Sequence, residues 1–111
     1  MCKGGQEDSI MGRYHCMWHI HHTAIPNSDE GWDQWQKLLG WVKEEMQNGF
    51  IKDWGEFVGE LNGYAVVEGS EFELTAMVQR FVAVCSFEVH PIASIDTVGE
   101  MIRALVQPGE R

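Results

Sequence analysis

The chain has 111 residues, of which 44% are apolar and 11% aromatic, and 17 acidic against 8 basic residues leave it a net charge of -9. That length suits a single domain, and the apolar share is too high for a disordered chain. The acid excess repels a phosphate backbone, no apolar run reaches the roughly 18 residues that span a bilayer, and the first residues lack the apolar stretch of a signal peptide. Nucleic acid and membrane are therefore not expected as partners, and a cytoplasmic location is. The three cysteines, Cys2, Cys16 and Cys85, form no C-x-x-C pair, so neither a zinc ribbon nor a redox motif is indicated. Cys16 and Cys85 fall in apolar runs, where a free thiol acts as a small hydrophobe.

Residues 1–13 hold three glycines and little apolar material, and read as a flexible leader. One domain is expected over 14–107, with a tail at 108–111. Residues 14–21 alternate with period two, the mark of a strand: Tyr14, Cys16, Trp18 and Ile20 point one way, and His15, Met17, His19 and His21 the other. Pro26 and Asn27 end it and open a helix, with Asn27 as N-cap and Glu30 completing a capping box. Trp32, Trp35, Leu39, Val42 and Met46, with Leu38 beside them, form its apolar stripe, and Asn48-Gly49 supplies a left-handed stop.

Residues 50–58 read as a second strand, Ile51, Asp53, Gly55 and Phe57 alternating against Lys52, Trp54, Glu56 and Val58. Asn62-Gly63 carries a hairpin signal, and 64–68 form the third strand. Ser70 caps a short helix over 71–81, with Phe72, Met77 and Val78 among the candidates for its buried side and Leu74 and Phe81 near them. The fourth strand covers 82–91, with Ala83, Cys85, Phe87 and Val89 on one face and Val84, Ser86, Glu88 and His90 on the other. A last amphipathic helix follows, with Thr97 and Glu100 as capping box and Val98, Met101, Ile102, Leu105 and Val106 as its apolar side. The order β-α-β-β-α-β plus a helix predicts an α+β, ferredoxin-like antiparallel sheet with its main helices on one face. The other face, mixed in aromatic, His and Glu residues, calls for a cover, and a second copy of the chain would supply one.

Several of these segments are familiar in combination: residues 14–19 (YHCMWH), Asp53-Trp54, residues 63–68 (GYAVVE) and residues 86–92 (SFEVHPI). Over 14–92 the chain resembles a family of small domains of unassigned function. That family is similar to the dimeric α+β barrel superfamily, which includes muconolactone isomerases, antibiotic-biosynthesis-type monooxygenases and YCII-related proteins. The resemblance implies a homodimer with facing sheets and a small-molecule cavity, either between each sheet and its helices or within the barrel. Its motifs are strand patterns, and they transfer no catalytic set.

The residues offer their own candidates. His15 and His19 on the first strand, Glu88 and His90 on the fourth, Trp54 and Glu56 on the second, Tyr64 on the third and Met17 beside the histidines would line one cavity on the polar sheet face. A His beside a carboxylate suits proton transfer near neutral pH, so His15, His19, Glu88 and His90 are the catalytic candidates. Met17, Trp54, Glu56 and Tyr64 are the ligand-binding ones. The expectation is a homodimeric domain that binds a small organic molecule, of the cofactor-independent isomerase or monooxygenase type. The alternative is a non-catalytic dimeric interaction or regulatory domain, with the same residues filling an interface.

His19 and His21, two apart on one face, would need His90 or Glu88 to complete a metal site, and no further ligand is set by spacing. No metal or cofactor is therefore expected. Five tryptophans would suit a flat cofactor such as haem, but Trp32 and Trp35 read as core, Trp18 faces the helices, and no axial-ligand motif is present. Trp54 and Trp41 remain for a ligand. Gly55, Gly59 and Gly63 fit a bulged hairpin rather than a phosphate loop.

Overall fold

The computed structural model describes residues 11–106. The first strand, β1, is Gly12–Ile20, and a 3-10 turn at His22–Ala24 leads to helix α1, Asp29–Asn48. Strands β2 (Ile51–Glu56) and β3 (Asn62–Gly69), helix α2 (Glu71–Phe81), strand β4 (Cys85–Ile92) and helix α3 (Ile95–Val106) follow. The four strands form one antiparallel sheet in the order β2-β3-β1-β4. The architecture is α+β and compatible with a ferredoxin-like fold. The expected leader and tail lie outside the described residues, apart from Gly12 and Arg13, which join β1, and Met11 just ahead of them.

Period-two alternation sets β1 and β3 as expected. Cys16 and Trp18 are buried on the helix side beside Ala65 and Val67, while His15, Met17 and Tyr64 are half-exposed on the other. The core unites these strands with Ile51, Val42, Phe50, Leu74, Met77, Phe81, Val84 and Cys85. Phe81 lies at its centre, edge-on to Trp41 and Phe87 and tilted against Trp54. Burying such a ring stabilises the fold by roughly 1.5–3 kcal/mol. Burial also pushes the Cys16 and Cys85 thiols up to about 11, which keeps both protonated and unreactive at neutral pH.

The caps agree with expectation at α2 and differ at both other helices. Ser70 accepts the Glu73 N–H at 3.1 Å and the Glu73 carboxylate accepts the Ser70 N–H at 3.0 Å, a complete capping box. At α1 the cap is Ser28, accepting the Gly31 N–H at 3.2 Å, rather than Asn27. At α3 it is Ser94, accepting from Thr97 at 3.1 Å, so the helix starts ahead of the expected Thr97–Glu100 box. Asn62-Gly63 is not the hairpin turn either. Both residues lie inside β3, and the chain reverses over 57–61, where Gly59 holds a φ of 79°. Strand β2 accordingly ends at Glu56, and Val58 is exposed. The fourth strand begins at Cys85, because 82–84 form a tight turn in which Val84 is buried and Ala83 is exposed.

The largest departure is in β2. Ile51 pairs with Val67, but Asp53 pairs with Val66, so Lys52 is an extra residue in the ladder, a β-bulge. The alternation therefore changes phase at Lys52. Ile51 faces the helices, and beyond the bulge it is Trp54 and Glu56, opposite Ala65 and Gly63, that do so. Asp53 and Gly55 take the open face. The helices differ too. On α1, Trp35, Leu38 and Trp41 pack beside buried Val42, whereas Trp32, Leu39 and Met46 stay exposed. Phe72 of α2 is exposed rather than buried.

Candidate functional site

The sheet has two chemically distinct sides, and the expected site residues divide between them. On the open side the ladder places His15 opposite His90, Met17 opposite Glu88 and His19 opposite Ser86, with Val66, Tyr64 and Asn62 across from the same three β1 residues. His90 Nε2 lies 3.4 Å from Glu88 Oε1. The His15 ring is parallel to that of Tyr64, at 6.2 Å between centroids. Tyr64 donates its hydroxyl to Asp53 Oδ2 at 2.7 Å, and Asp53 Oδ1 accepts the Trp54 N–H at 2.9 Å. That hydrogen bond, helped by desolvation and by the charge of the carboxylate, raises the Tyr64 phenol above its ordinary pKa.

His15, Met17, Tyr64, Glu88 and His90 thus share one surface as expected, with Asp53 added by the bulge. It is a surface and not a cavity in the single chain: the Glu88 and His90 side chains are 73% and 57% exposed. An ion pair in that setting is screened by water and contributes at most about 1 kcal/mol. His19 stands one pair further along. His21, just past the strand end, holds Ser86 Oγ at 2.9 Å through Nε2. The combination of His19, His21 and His90 is not brought together, and among the described residues no three His, Cys, Asp or Glu side chains are grouped to hold a metal ion.

Trp54 and Glu56 are the two expected site residues that the structure moves. The bulge turns them to the helix side, where they line a cleft of about 500 Å³ between the sheet and the N-terminal half of α1. Its sheet wall is Trp54 stacked on Trp18, with centroids 5.6 Å apart and rings inclined by 20°. Trp32, Trp35 and Leu39 of α1 form the facing wall, and Ile25, Pro26 and Leu61 close the ends. Two indoles are held by their own N–H groups: Trp18 donates to the Tyr64 carbonyl at 3.1 Å and Trp35 to the Ala24 carbonyl at 3.2 Å. Such walls suit a flat or compact apolar molecule.

Trp32 is a correction to the expected assignment as core, whereas Trp35 packs against the core as expected and also lines the cleft. Both fall at helical spacing, which is all that periodicity registers. Trp32 lies on the edge of the stripe shared with Leu39 and Met46 and is 58% exposed, while Trp35 is half-buried against the core. Trp41, the other tryptophan expected to be free for a ligand, is instead covered by Arg80, whose guanidinium lies 4.5 Å from the ring centroid. Comparison with family models, with curated proteins and with solved structures found no match.

Proposed function

We propose that the protein is a homodimeric small-molecule-binding domain of the dimeric α+β barrel type, with its ligand in the tryptophan-walled cleft. The observation that carries this reading is the cleft itself: four indoles surround an open volume, and two of them are fixed by hydrogen bonds that need no ligand. Preformed apolar walls of this size are the usual equipment for a small organic molecule. The resemblance over 14–92 implies a small-molecule cavity either between sheet and helices or within the barrel, and the cleft fits the first of these. The homodimer is supported by the open sheet face, where Met17, Val66 and Tyr64 are half-exposed among His and carboxylate side chains, and by α3, which buries none of its residues. No helix among the described residues is long and apolar enough to cross a membrane.

Proton transfer by His15, His19, Glu88 and His90 belongs to a second arrangement. These side chains lie across the sheet from the cleft, so a ligand there does not touch them. An isomerase or monooxygenase activity would need its substrate on the open face, enclosed by the second copy. The separation of the two sides favours binding without catalysis, and with it a regulatory or interaction role.

Native mass spectrometry of untagged protein tests the reading. A dimer is expected, carrying a small molecule retained from its source or taken up from a panel of small aromatic compounds. Trp32→Ala is expected to lose that molecule and remain a dimer. A protein that stays monomeric at micromolar concentration overturns the dimer, and one that takes up nothing overturns the binding function.

A further inference from the structure

We infer that the cleft selects an organic cation, an amine or quaternary ammonium on an apolar or aromatic body, with the Glu56 carboxylate set against its charge. The inference rests on the cleft being the binding site and concerns which ligand chemistry it accepts. Of the residues that line the cleft, Glu56 alone carries a charge, and none is basic. Glu56 follows Trp54 by two positions on a strand, so the carboxylate and the indole project from the same side of the sheet. Among the described residues its carboxylate makes no ion pair or hydrogen bond, as is true of most exposed acidic side chains of the chain; what sets it apart is its place in the cleft lining.

The three ligand charges meet different walls. An anion would face Glu56 in a chain of net charge -9, and it would find the N–H groups of Trp18 and Trp35 already committed to backbone carbonyls. A neutral apolar molecule would fill the space and gain nothing from the exposed Glu56 carboxylate. A cation pairs with the carboxylate and is attracted by the electron-rich faces of the indoles, an attraction strongest for tryptophan. Discrimination then comes as much from what the cleft repels as from what it attracts.

Phenyltrimethylammonium and tert-butylbenzene have nearly the same shape and differ in charge, so tryptophan fluorescence titrated with each isolates the charge. The cation is expected to bind the full chain roughly tenfold or more tightly than the neutral compound. Glu56→Gln is expected to remove most of that preference while leaving tert-butylbenzene binding unchanged or improved, and Trp32→Ala to weaken both compounds. Glu56 and Trp32 are exposed, so both variants are expected to keep the melting temperature of the parent. Equal binding of the two compounds, or a preference that survives Glu56→Gln, overturns the cation inference and leaves the cleft as a binding site. Failure of both compounds to bind overturns the inference together with the cleft.

Discussion

A methyl group at residue 63 would stand against the Gly55 carbonyl and the Trp18 indole at once. Gly63 has an ordinary strand conformation, so its constraint is space and not backbone freedom. Neither neighbour can yield: one is backbone in the paired strand, and the other is buried and hydrogen-bonded. Gly63→Ala is therefore expected to destabilise the protein by about 1–3 kcal/mol, as overpacking does. It should also loosen the Trp18/Trp54 wall. Gly40→Ala is the contrasting case, since a methyl there meets nothing within 4 Å and sits in a helix interior. It is expected to stabilise by about 0.4–1 kcal/mol. Urea unfolding midpoints of the two variants check both signs.

At the scale of elements, local chemistry decides how far an element can be read from its residues. Ser70 and Glu73 sit three apart with nothing competing, and the helix over Glu71–Phe81 follows residue for residue. Ser70→Ala removes a side chain that accepts one orphan N–H, and is expected to cost about 1 kcal/mol, read as a lower thermal midpoint with unchanged helix content. Where two capping residues stand side by side, as Asn27 and Ser28 do, spacing alone does not choose between them, and the path of the chain past Pro26 does. In β2, strict alternation assigns faces correctly only up to the bulge. The glycines of this hairpin suggest a bulge, but nothing in the run from Ile51 to Glu56 puts the extra residue at Lys52, because its position is set by the pairing with β3. Alternation therefore agrees with the ladder on the face shared by His15, Met17, Tyr64, Glu88 and His90, and assigns Trp54 and Glu56 to the opposite side from the one they take.

At the scale of the whole molecule, the sequence of elements was legible, and the cleft was not. An apolar stripe predicts that a helix packs, but not which edge of the stripe is left out. Here Trp35, Leu38, Trp41 and Val42 of α1 face the core, while Trp32, Leu39 and Met46, seven apart and so on one edge of the stripe, stay outside it. A similar question attends α3, whose Met101, Ile102, Leu105 and Val106 are all at least half exposed. Left in water, that side gains nothing from its amphipathic pattern; between two copies it would bury apolar area on both. If the proposed dimer forms through this side, the double substitution of Met101 and Leu105 by Asp is expected to shift it to monomer in sedimentation velocity. The melting temperature of the isolated monomer should not fall, because α3 contributes no buried residue to the core. A dimer indifferent to both charges would place the contact on the open sheet face alone.

The stacked Trp18 and Trp54 rings have an optical consequence. Two indoles 5.6 Å apart and inclined by 20° couple their electronic transitions and give a split circular-dichroism band that a lone tryptophan lacks. Because both rings belong to the sheet wall of the cleft, on β1 and β2, the splitting reports their mutual angle. The protein therefore carries its own spectroscopic gauge of whether that wall is assembled, readable without a label and independent of the backbone signal.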